Sequence, residues 1–178
     1  DTAGIGTLDA GGKLVVPGLI DIHTHAARDP AGPALCLRDG VTGWIDAGSA
    51  GADNLDPAVA IAKAAPQTGR VLVNIGRGGI LPEGDTQDLS LGDGGAARAA
   101  IERHRDYVVG IKARLSETVV GKNDVEVLKR AQRVVEPFGL PVMIHMGQSA
   151  SSLRDLLPIL KAGDIVTHMF APPPNAIV

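Results

Sequence analysis

Short apolar runs recur along the chain at intervals long enough to hold a helix. They cover residues 14–22, 41–45, 70–75, 108–111, 141–144 and 164–167. Their length and their mostly apolar content suit strands covered on both faces. The intervening stretches carry helix signals. Asp56-Pro57 places a capping residue before a proline at a first helical position, which predicts a helix to about residue 65. A second helix is expected over 96–105. Asn123 and Glu126 have capping-box spacing, and Val127, Ala131, Val134 and Phe138 then form a helical stripe that Gly139 stops. A fourth helix over 152–160 should be kinked or shortened by Pro158. Strand and helix alternate throughout, the signature of βαβ units on a parallel sheet. The Gly-rich connection 76–95 is long for a compact domain and reads as a mobile loop over the rim of the sheet. Its Gly76-Arg77-Gly78-Gly79 lacks the Gly-Lys-Ser/Thr ending of a phosphate loop.

Chemistry enters at the ends of these runs. His23 and His25 close the first, Lys112 follows the fourth, His145 the fifth and His168 the sixth. Residues two apart in a strand point to one side, so His23 and His25 can reach one ion. Taken singly, each His is more often a hydrogen-bonded core or rim residue than a ligand. Jointly they occupy the strand ends at which parallel α/β folds place their sites. Neutral imidazoles suit zinc and leave an open position for water. His104, in Glu102-Arg103-His104-Arg105-Asp106, reads as part of a solvated helix face and is assigned no chemistry. Lys112 has two readings. It snorkels to the rim or pairs with an acid such as Glu117. Alternatively, desolvated among cations, it loses its proton and adds carbon dioxide, giving a carbamate able to bridge two metals. Arg114, two residues on, and Arg77 in the rim loop are candidates to hold a substrate carboxylate. A structural role is the alternative for each.

Composition narrows the classes. The 178 residues carry a formal charge of -3, which offers no long-range attraction for nucleic acid or anionic membranes. One Trp, one Tyr and two Phe are too few for base-stacking platforms. A single cysteine excludes an intrachain disulfide framework and fits a reducing compartment, so a cytoplasmic location is expected. No apolar run of about 18 residues is present. The chain opens on Asp1 in Gly-rich text, like a processed chain or a piece of a longer one.

The motifs carry a resemblance. Pro17-Gly18-Leu19-Ile20-Asp21-Ile22-His23-Thr24-His25, Asp46-Ala47-Gly48-Ser49 and Gly110-Ile111-Lys112-Ala113-Arg114-Leu115-Ser116 resemble the amidohydrolase superfamily. So do Val142-Met143-Ile144-His145-Met146-Gly147 and the segment from Gly163 to Phe170. The Lys112 segment narrows the likeness to its amidohydrolase/deacetylase family, dihydroorotase-like metallohydrolases. The resemblance implies a (β/α)8 barrel, of which residues 14–178 would form about the first six βα units. Residues 1–13 would be the remnant of a preceding β-sandwich. It further implies two divalent metal ions, zinc by expectation. His23 and His25 would bind one, His145 and His168 the other, and carboxylated Lys112 would bridge them. A hydroxide shared between the metals would attack an amide or ester carbonyl. The family's remaining ligand, a proton-shuttling aspartate after the eighth strand, has no counterpart here. Asp46, Glu83 and Asp85 are the candidates for a substitute base. The implied substrate is a small acylated molecule, an acetylated hydroxy or amino acid, and the implied reaction deacetylation. Cyclic amide hydrolysis of the dihydroorotase type, an inactive barrel fragment and a non-catalytic binding subunit are the alternatives. Open sheet edges would favour self-association into a homo-oligomer.

Overall fold

A computed structural model describes residues 6–170. Six strands run β1 (Leu19–Thr24), β2 (Val41–Asp46), β3 (Thr68–Asn74), β4 (Val108–Arg114), β5 (Val142–His145) and β6 (Ile165–Thr167). They form one sheet in the order β1-β2-β3-β4-β5-β6, every neighbouring pair parallel. Sequential order with parallel pairing requires a crossover after each strand. The crossovers carry α1 (Gly32–Arg38), α2 (Leu55–Ala64), α3 (Gly94–Arg103), α4 (Glu117–Val120), α5 (Asp124–Val135) and α6 (Leu153–Leu156). The result is a nearly closed, partial (β/α)8 barrel.

Local chemistry explains where elements begin. The first strand was expected from residue 14, but β1 starts at Leu19, past Pro17 and Gly18, where Leu19 donates to the Gly40 carbonyl and comes level with Val41. Proline has no N–H to give a ladder. The second expected helix starts two residues earlier because Asp93 accepts from the N–H groups of Gly95 and Ala96 and becomes the cap. Asn54, not Asp56, stands before α2; Asp56 sits in the first turn and accepts from Arg103 and His104 instead. The Asn123 side chain does not cap α5, since its amide donates to the Gln87 carbonyl. A capping box forms at Ser152 and Asp155. Pro158 shortens that helix as expected, into α6 and a 3₁₀ turn at Leu157–Ile159. Helix α1, opened by Pro33, has a start signal that the periodicity reading missed.

The core lies where α2, α3 and α5 pack onto the sheet, with Trp44, Leu55, Ile101, Ile111, Leu128 and Ile144 fully buried. The rim loop is anchored rather than loose. Arg77 N–H donates to Leu91 and Ile80 N–H to Ser49, while Asp85 and Thr86 are buried. Of the stretch 1–13, residues 1–5 lie outside the described residues, and 6–13 carry a turn at Gly11 and Gly12 but no strand. Among the described residues no helix is long and apolar enough to cross a membrane.

Candidate metal centre

The C-terminal ends of β1, β4, β5 and β6 surround one cleft of about 570 Å³. His23, His25, Lys112, Arg114, His145 and His168 all line it, with Arg28, Ile80 and Thr167 completing the wall. All five residues expected to hold metal are therefore together. The rings touch: His23 to His25 at 5.7 Å between centroids, His23 to His168 at 4.8 Å, His145 to His168 at 4.4 Å. His23 and His145 are strand residues, but His25 has already left β1 and precedes a 3₁₀ turn at Ala26–Arg28. His168 follows β6 with φ +65°, in the left-handed region that costs a non-glycine residue free energy. Such strain concentrates at functional sites.

Lys112 stands at the base of the cleft and is buried. Its Nζ lies 3.4 Å from His23 Nε2 and 3.2 Å from Met143 Sδ. Burial first, and then the Arg114 charge, lower its pKa to about 7. Glu117, its alternative partner, lines a different depression with Ser116, Thr118 and Gln148. Gly48 makes the packing possible. It adopts φ +76°, and a Cβ there would stand 2.4 Å from Lys112 Cβ.

The imidazoles are neutral around pH 7. Burial, then the Lys112 charge, takes His23 to about 4; burial, then His168, takes His145 to about 3. Burial also lowers His168, with Lys112 adding to it, and lowers His25 against the opposing pull of Asp46. Neutral rings keep the lone pairs a metal needs. Among the described residues, no three His, Cys, Asp or Glu side chains form a set that would hold an ion by themselves.

Neighbouring side chains hold several of these groups. His23 Nδ1 meets Thr167 Oγ1 at 2.6 Å, and His25 Nδ1 meets Ser49 Oγ at 2.7 Å. Arg114 donates to buried Asp85 at 3.1 Å; Asp85 also accepts from Asn74 and from Leu81 N–H. Arg77 is not in the cleft: it pairs with Asp53 at 2.7 Å and lies 3.9 Å from Asp93. His104 bonds Asp56 at 2.6 Å, also away from the cleft. Glu83 is exposed. The buried Asn74 and the cleft residue Arg28 escaped the sequence reading. Arg28 follows His25 by three residues, a spacing that was available as a signal; Asn74 closes an apolar run like any polar strand end.

No protein-family model matches the chain. A deacetylase of Enterococcus faecalis is 35% identical over 173 residues, 94% of this chain and 47% of the relative. A deacetylase of Brucella anthropi is 30% identical over 180 residues, 94% of this chain and 44% of its own. The crystal structure of an adenine deaminase superposes with a TM-score of 0.84 at 34% identity, covering 91% of this chain and 46% of that one. A dihydroorotase structure gives 0.81 at 27%, covering 86% and 44%. The chain belongs to the amidohydrolase superfamily. It spans about half the length of the curated relatives it matches.

Proposed function

We propose that this amidohydrolase chain holds the metal-binding half of a hydrolase that removes acetyl groups from hydroxy or amino acids. The observation that carries the reading is four neutral imidazoles gathered beside a buried lysine whose pKa falls to about 7. Near that pH much of Lys112 is a free amine. Its nitrogen forms a bond to the carbon of carbon dioxide, one proton leaves, and the side chain becomes an anion. An anion is what a cleft walled by imidazoles, Arg28 and Arg114 lacks. His23 and His25 would hold one divalent ion, His145 and His168 a second, and the Lys112 carbamate would join both. The donor set of imidazole and carbamate oxygen favours zinc. Bound there, two such ions supply Lewis acidity towards the acyl carbonyl and acidify water.

The chain's own side chains do the rest. Arg114, held by Asp85, presents a guanidinium to the cleft that can take a substrate carboxylate. Ile80 gives an apolar contact for the remainder of the substrate. The relatives named deacetylases support the acetyl assignment. The dihydroorotase likeness supports hydrolysis of a cyclic amide as a second reading.

Elemental analysis of the full-length protein tests the centre directly. Near two equivalents of zinc or another divalent transition metal are expected, unchanged in His104→Ala and lowered in His23→Ala. Less than about half an equivalent after growth in zinc overturns it. Turnover of acetylated hydroxy and amino acids against cyclic amides then separates the two substrate readings.

A further inference from the structure

Resting on that metal-centre reading, we propose that Asp46 and Ser49 form a hydrogen-bonded relay that fixes His25 as the Nδ1–H tautomer, leaving Nε2 as the nitrogen for metal. Asp46 ends β2 and is buried. Its Oδ2 accepts from Ala27 N–H at 3.0 Å, and its Oδ1 accepts from Ser49 N–H at 2.8 Å. With a backbone donor on each oxygen, the side chain is an acceptor only. The Ser49 hydroxyl owns a single proton and directs it to Asp46 Oδ2 at 2.9 Å. Ser49 Oγ itself lies 2.7 Å from His25 Nδ1 and, its proton spent on Asp46, has only lone pairs left to offer. The proton in that contact therefore belongs to His25 Nδ1, and a neutral ring protonated there is bare at Nε2.

The relay also sets position. Ala27, two residues past His25, hangs on the same carboxylate as Ser49, so one side chain aligns the backbone after β1 with the turn after β2. That matters because His25 stands outside the strand ladder, where its own backbone does not hold it in register. Ser49 and Asp46 are thus positioning residues acting through His25. Such partners typically change metal affinity about 10–100-fold when removed.

The test uses the full-length protein. Nitrogen chemical shifts of the His25 ring, measured on the metal-free protein at a single pH, report the tautomer with no variant needed. A protonated Nδ1 with a bare Nε2 is expected; a proton resident on Nε2 overturns the relay. Chelator competition on Ser49→Ala should show one metal bound about 10–100-fold more weakly, with the melting temperature of the metal-free protein unchanged. Ser49→Thr, which keeps the hydroxyl, should restore affinity. A Ser49→Ala protein that binds both metals as tightly as the parent overturns the relay and leaves the metal centre standing. A parent protein that takes up no metal overturns both.

Discussion

The middle of the sheet and its first strand are built from similar apolar residues and end in opposite environments. On β4 and β5, Ile111 and Ile144 are 0% exposed; on β1, Leu19 and Ile20 are 62% and 74% exposed. The difference is in the neighbours. Strands β4 and β5 have a strand on each side and α5 packed against them. Strand β1 pairs on one side only, with β2. The candidate site draws on both regions. Lys112 comes from the buried centre, whereas His23, His25 and His168 come from the two outer strands or their ends. Across the gap between those outer strands, His23 Nδ1 meets Thr167 Oγ1 and the His23 ring meets the His168 ring. The central lysine is thus pre-set by packing, whereas His23 and His25 are held by hydrogen bonds to Thr167 and Ser49.

The sharpest way to break this comparison is to remove its fixed centre. Lys112→Ala should lower hydrolysis by the full-length protein at least about 100-fold, since charge stabilisation at the reacting centre is lost. It should also cost at least one metal. Short carboxylic acids should restore part of the rate by standing in for the carbamate. Near-parental rates would make Lys112 a buried packing residue and move the chemistry to the edge strands.

Packing offers the next test. Leu128→Ala in α5 removes a fully buried side chain and should cost about 2–5 kcal/mol in denaturant unfolding of the 178-residue chain. Ile20→Ala, on the exposed face of β1, should change stability by no more than about 0.5 kcal/mol. Equal losses would show that β1 is covered in solution, and a concentration dependence of the Ile20 effect would identify a second copy as the cover.

A smaller effect is expected from pH. Folding holds His23 down to about 4 and His145 down to about 3, from an ordinary value of 6.5. Below 6.5 the unfolded chain therefore binds protons that the folded chain refuses. Stability of the metal-free protein should be complete above pH 6.5 and fall as pH drops, until about 4 for His23 and 3 for His145. Replacing His145 with Gln should flatten that decline in thermal melts. An unchanged slope would mean that the cleft is wetter than its burial implies.

Periodicity located five of the six strands within a few residues, because central strands are continuous apolar runs and leave little ambiguity. It set the start of the first too early, where Leu14, Val15 and Val16 read as strand but stand exposed before Pro17 and Gly18. Composition cannot tell which apolar residues find neighbours. The metal-site candidates were legible because strand ends are where a parallel sheet must place them. The groups behind them were not. Asn74 and Asp85 lie 11 positions apart and meet only once β3 and the rim loop are folded, at 3.1 Å. Helix caps misled for a related reason: Asp56 and Asn123 carry capping side chains but bond to His104 and Gln87, partners distant in sequence.

The two arginines give the smallest expected effect and the finest cut between regions. Arg77 and Arg114 both donate to an aspartate, so their local chemistry is alike. Their settings differ. Arg77 pairs with Asp53 on the exposed flank of the rim loop, while Arg114 is anchored to buried Asp85 and faces the cleft. Arg114→Ala should raise KM for a carboxylate-bearing substrate about 10–100-fold, the worth of a hydrogen bond to a charged group. For the matching substrate without a carboxylate, KM should stay put. Arg77→Ala should leave KM and kcat for both substrates as they are, because an exposed ion pair is screened by solvent and salt. A KM rise in Arg77→Ala confined to the charged substrate would bring the rim loop over the cleft during binding. Carboxylate recognition would then belong to the flank as well as to the anchored arginine.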